Sequence, residues 1–134
     1  MRNRLAVVLA GLGLLLVARP APGHHSFAAE FDINMPLKLT GIVTRVEWQN
    51  PHVWFYIDVK DDGGKVTNWS VELGSPNGLM RAGWTRNSIK IDDVINMEGS
   101  RARDGSNVGN ATVVILASTG RRLFAASSGA QSAP

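Results

Sequence analysis

From residue 52 to residue 60 the chain alternates without a break: Val53, Phe55, Ile57 and Val59 fall on one side, and His52, Trp54, Tyr56 and Asp58 on the other. A period of two over that length is a strand with one buried face, because successive side chains of an extended chain point to opposite sides. The stretch runs into Asp61-Asp62-Gly63-Gly64, where glycine supplies the positive backbone angles of a tight turn. Residues 66–73 then return with Thr67, Trp69, Val71 and Leu73 on one face. A hairpin of this kind cannot bury its apolar side alone. The rest of the chain must supply sheet.

Three further strands and one short helix can be read around it. Residues 37–48 form the strand before the hairpin, with Ile42, Thr44, Val46 and Trp48 sharing a face and Gly41 marking a bulge. After the hairpin, Ser75 is placed to cap a helix whose first residue is Pro76, and the helix ends around Arg81 to Gly83. Residues 94–103 and 110–117 are the last two strands, joined by Asp104-Gly105-Ser106-Asn107. Mainly β, with a short helix between strands 3 and 4, is the order of a five-stranded OB-fold-like Greek-key barrel, expected over residues 37–124. The rival β-sandwich usually draws on about seven strands.

The two ends read differently. Arg2 and Arg4, an apolar run over residues 5–17 and a Pro-broken exit through Ala21-Pro22-Gly23 are the parts of a secretory signal peptide, residues 1–23. The run is shorter than the roughly 20 apolar residues that span a bilayer. Cleavage, periplasmic export and no stable membrane insertion are the expectation; an uncleaved anchor is the alternative. Residues 24–36 are a leader without a clean period, and residues 125–134 a small, polar tail expected to be disordered.

Losing the signal changes the electrostatics. Of 14 basic residues, Arg2, Arg4 and Arg19 leave with it, so the remaining 111 residues carry 11 basic against 11 acidic groups. Such a balance argues against a phosphate-backbone binder, whose affinity rests on clustered Lys and Arg. Nucleic acid is not an expected partner. There is no cysteine, so any metal must be held by nitrogen and oxygen.

Chemistry concentrates in three places. Cleavage after Gly23 makes His24 the N-terminus, and its amine and ring, with His25 and His52, offer an all-nitrogen set that favours copper. Glu30 or Asp32 can add an oxygen. The structural alternative has His24 and His25 simply solvated and His52 bonded to the turn after Asn50-Pro51. A second group is aromatic: Trp48 and Trp69 belong to the core by alternation, whereas Trp54 and Tyr56 share the outer face with His52. Exposed Trp and Tyr mean a binding face or cover by another segment, here Phe27 and Phe31 of the leader. The third is the Gly83-Trp84 turn, where Arg81 and Arg86 are placed to hold an anion or pair with Glu72. Nucleophile elbows, phosphate-cradling loops and His-Glu-x-x-His helices are all missing, so an enzyme has no support beyond redox chemistry at copper.

Several motifs together resemble the DUF6152 family of small exported bacterial proteins. They are His24-His-Ser-Phe-Ala-Ala-Glu-Phe-Asp32, the stretch from Gly41 to Asn50-Pro-His52, Trp69-x-Val-Glu-Leu-Gly-Ser-Pro-Asn77, Arg81-Ala-Gly-Trp-Thr85 and Arg103-Asp-Gly105. The resemblance implies an envelope location and a small β-barrel, with no established activity. The chain departs from it at Ile91-Asp92-Asp93, where a Gly-Asp turn is expected, and at Ser118-Thr119-Gly120, where Asp-Gly is expected. Three readings follow: a periplasmic module docking an envelope protein or small ligand through Trp54, Tyr56 and Arg81, a copper-binding protein using His24, His25 and His52, or a structural accessory domain with no ligand of its own.

Overall fold

The computed structural model describes residues 26–127. The signal peptide, His24, His25 and the end of the tail lie outside these residues. The described elements are α1 (Phe27–Glu30), β1 (Phe31–Glu47), β2 (Trp54–Lys60), β3 (Val66–Glu72), α2 (Pro76–Arg81), β4 (Val94–Ala102), β5 (Val108–Leu116) and β6 (Arg122–Phe124). The fold is mainly β, one six-stranded sheet in the order β3-β2-β1-β4-β5-β6, and β3 also pairs in parallel with β5. No described helix is long and apolar enough to cross a membrane.

The hairpin forms as its pattern requires. Trp54 faces Glu72 and Lys60 faces Val66 in an unbroken antiparallel register. Val53, Phe55, Ile57, Val71 and Leu73 are fully buried, joined from the other strands by Ile95, Met97 and Val114. Burying each such side chain contributes roughly 1.5–3 kcal/mol, which is what holds the sheet around its core. Ser75 caps α2 as expected, its hydroxyl accepting from the Gly78 amide at 3.1 Å.

The first strand differs from its sequence reading. Val43 is buried and Ile42 is about half exposed, the reverse of the expected faces. The reason is a bulge at Thr44: Val43 pairs with Ile57 but Arg45 with Tyr56, so one extra residue switches the inward face from odd to even positions, and Val46 and Trp48 then pack on the core. Gly41 is not that bulge. A Cβ there would come within 2.8 Å of the Asp58 carbonyl oxygen, so the glycine permits close approach of β1 to β2.

Both ends of the expected domain also shift. Phe31 and Asp32 pair with Ala102 and Arg101 of β4, residues 33–35 loop out, and pairing resumes at Pro36 with Ser100. Part of the leader is therefore sheet. At the other end β6 is a sixth strand of three residues, too short to show a period, and the segment beyond it is packed: Ala125 and Ser127 are buried, and the Ser127 hydroxyl donates to the Ala111 carbonyl at 2.8 Å. The disordered tail expected from Ala125 does not begin there. In the segment that departs from the family pattern, Asp92 has a φ of 72°. That is the left-handed region glycine adopts freely and Asp tolerates.

Candidate functional site

His52, Glu72 and Asn110 come from three separate segments and meet because β3 lies between β2 and β5. Trp54 pairs with Glu72 across β2–β3, and Glu72 with Asn110 across β3–β5. His52, two residues before Trp54, is half-buried, and its Nδ1 lies 3.5 Å from a Glu72 carboxylate oxygen. The other carboxylate oxygen accepts from the Asn110 side-chain amide at 3.0 Å. Glu72 is 6 % exposed and Asn110 1 %. Burial pushes the Glu72 carboxyl above its ordinary value, against the pull of His52 and the Asn110 bond, while the negative charge of Glu30 pushes the same way as burial. The Asn110 side-chain oxygen is buried and has no hydrogen-bond partner. Glu72 therefore pairs with His52, and the expected pairing with Arg81 or Arg86 is not formed.

Beside this group is a cavity of about 330 Å³. Phe31, Trp54 and Val108 contribute apolar wall, and Glu30, Arg103 and Asp104 the charged rim. α1 carries the leader to this place. Phe27 stacks on Phe31 with centroids 5.6 Å apart, and the Arg103 amide donates to the Glu30 carbonyl at 2.9 Å. The Arg103 guanidinium donates to the Ala28 carbonyl at 2.7 Å and lies 3.6 Å from the Asp32 carboxylate. Bonds from the Ser106 hydroxyl and amide hold the Asp104 carboxyl below its ordinary range. The leader thus lies beside Trp54, as expected of a covering segment, and leaves a space between them.

The structure separates the three residues read as one ligand face. Trp54 lines the cavity and Tyr56 does not. Tyr56 is engaged within the chain: its hydroxyl donates to Glu47 at 3.1 Å, and the Arg45 guanidinium lies 3.8 Å from its ring centroid. Arg81 ends α2, exposed and away from the cavity lining. Sequence reading offered Glu30 as an oxygen donor beside His52 but did not bring Asp104 or Asn110 to the site. Asn110 arrives through the β3–β5 pairing, which has no local signal, and Asp104 through the β4–β5 turn, whose Asp-Gly-Ser-Asn sequence marks the turn but not its neighbours. For the metal reading, His24 and His25 lie outside the described residues. Among those described, no three His, Cys, Asp or Glu side chains form a metal-holding group.

The sequence profile of a family of unknown function, DUF6152, matches residues 11–111. The chain belongs to this family. No curated protein matches it. The DUF6152 match spans α1, the His52–Glu72–Asn110 group and all the cavity-lining residues.

Proposed function

We propose that this DUF6152 protein is an exported, periplasmic binding module that takes a small ligand in the cavity beside Trp54. The observation that carries the reading is the cavity itself, whose volume falls within the roughly 300–1,000 Å³ of ligand sites and whose apolar wall is bordered by charged groups. The scaffold in this reading is an OB-like barrel. Its support is the β3–β5 pairing, which links the two outer members of the run β3-β2-β1-β4-β5. Export rests on the signal-like residues 1–23. The test is a screen of small amphipathic molecules followed by the indole N–H resonance of Trp54. A molecule that moves this resonance, and whose binding is lost in Trp54→Ala, supports the cavity. Hits that move Tyr56 or the Arg81 amide and leave Trp54 still overturn it in favour of the outer face.

A second reading, copper binding through His24, His25 and His52, is favoured by one observation: the Glu72 carboxylate beside His52 Nδ1. Metal-bound histidines commonly direct their other ring nitrogen at such a carboxylate, which fixes the ring and raises its basicity. His52 would then use Nε2. A Cu(II) competition titration on protein with His24 as its confirmed N-terminus tests this. One tight site that weakens on His52→Ala, and when a residue is added before His24, supports copper; weak binding indifferent to both retires it.

A further inference from the structure

We infer that the cavity beside Trp54 selects a small organic cation, an ammonium group carried on an apolar body. This rests on the cavity reading above and names its ligand class. Some rim charges are already engaged by a partner. Arg103, the cation among the lining residues, is held by the Ala28 carbonyl and the Asp32 carboxylate. Arg101 donates to the Ser106 and Gly105 carbonyls of the β4–β5 turn, and its guanidinium lies 5.2 Å from the Trp69 ring centroid. Two carboxylates are left. Glu30 has no hydrogen-bond or cationic partner for its side chain among the described residues, and Asp104 is bonded to Ser106 within its own turn and feels the Arg101 charge without an ion pair to it. A third acid, Glu72, feels the Glu30 charge from inside the sheet.

The walls decide what kind of cation fits. A bare metal ion needs several oxygen or nitrogen ligands converging on one point, and no such group forms among the described residues. Phe31, Trp54, Ala29, Ala102 and Val108 instead give an apolar lining with an indole in it. An indole face attracts cations through its quadrupole, by about 0.5–2 kcal/mol depending on desolvation. Carboxylates at the rim and aromatic surface inside are complementary to an amine whose head lies near Glu30 and Asp104 and whose body fills the cavity. At about 330 Å³ the space suits one ring with a short amino arm.

Three probes of nearly one shape test this: phenethylammonium, its neutral counterpart 2-phenylethanol and the anionic 3-phenylpropionate. Each is titrated into the full mature protein with chelator present, by calorimetry and by the Trp54 indole resonance. The cation is expected to bind at least about tenfold tighter than the alcohol and to weaken as salt is raised. Glu30→Gln and Asp104→Asn, both at exposed positions, are each expected to weaken the cation about three- to tenfold and leave the alcohol unchanged, with thermal melts confirming the fold. If alcohol and cation bind equally at Trp54, or the cation is indifferent to both variants, the cavity stands and the cation inference falls. Preference for the anion overturns it as well. If no probe moves Trp54, the cavity reading falls with it.

Discussion

The region around α2 and β6 and the region around α1 and Trp54 both close over the same sheet, by opposite means. In the first, the gaps are filled. Leu79, Trp84, Leu123 and Ala125 are buried together, the Trp84 indole donates to the Phe124 carbonyl at 2.7 Å, and the Gly74 amide donates to the Ala125 carbonyl at 2.8 Å. In the second, the covering segment is one helical turn, the aromatic ring opposite it is half-buried, and about 330 Å³ stays open between charged groups. A packed region maximises dispersion and hydrogen bonding, whereas a binding region must leave contacts unmade until its ligand supplies them. Stability is thus expected to concentrate in the first region and ligand sensitivity in the second.

The strongest way to break that contrast is to truncate Trp84. It is 2 % exposed, so Trp84→Ala leaves a core cavity and an unpaired Phe124 carbonyl. A loss of about 3–5 kcal/mol is expected in urea unfolding. A loss below about 1 kcal/mol would mean that this region is not the stabilising one. Next comes Gly74→Ala. The added methyl would clash with the Ala126 carbonyl oxygen, so the C-terminal segment must move. A cost of about 1–3 kcal/mol is expected. Faster amide exchange at Ala125, whose N–H donates to the Thr112 carbonyl, would locate the damage there. Unchanged exchange would show the strain relieved elsewhere.

These two regions also differ in how far the sequence revealed them. Ser75 and Pro76 announce α2 locally, and strict alternation announces β2 and β3, because capping and a period of two are properties of neighbouring residues. Strand β1 misleads from Ile42 to Thr44, since a bulge inverts the face without changing composition. β6 is three residues long, paired with the neighbouring β5 across a short connection, and too short for a period to signal a strand. At the site, His52 and Trp54 were legible as polar and aromatic residues on one face of β2. Glu30 was legible as an oxygen donor and Asp104 as a turn residue, but their meeting beside Trp54 was not, and Asn110 arrives only through the parallel β3–β5 pairing. Non-local pairing built the site, and a one-dimensional pattern records only local order.

Trp54→Ala sharpens the contrast from the cavity side. Because Trp54 is half-buried and already borders open space, its truncation is expected to cost about 1–2 kcal/mol, well under the loss at Trp84. Phenethylammonium binding, however, should fall below detection. Comparable destabilisation at the two tryptophans would mean that Trp54 is a core residue with incidental exposure, and the distinction between the regions would fail.

The smallest effect tests the buried acid that faces Trp54 across the β2–β3 register. Burial raises the Glu72 carboxyl above 4.5, so the folded protein holds a proton there that the unfolded chain has released. Its contribution to stability is fully present below pH 4.5 and is lost as pH rises through the raised value. Glutamine preserves the shape and can still accept from the Asn110 amide, but does not titrate. Glu72→Gln and the parent protein should therefore be nearly equal in stability at acid pH, with the variant gaining relative to the parent as pH rises, in urea unfolding at a series of pH values. Since His52 opposes the shift, the gap should widen when both are compared in a His52→Asn background. Should the parent gain over the variant instead, the carboxylate is better stabilised folded than unfolded. The His52–Glu72 contact would then be a satisfied ion pair, complete without any ligand beside it.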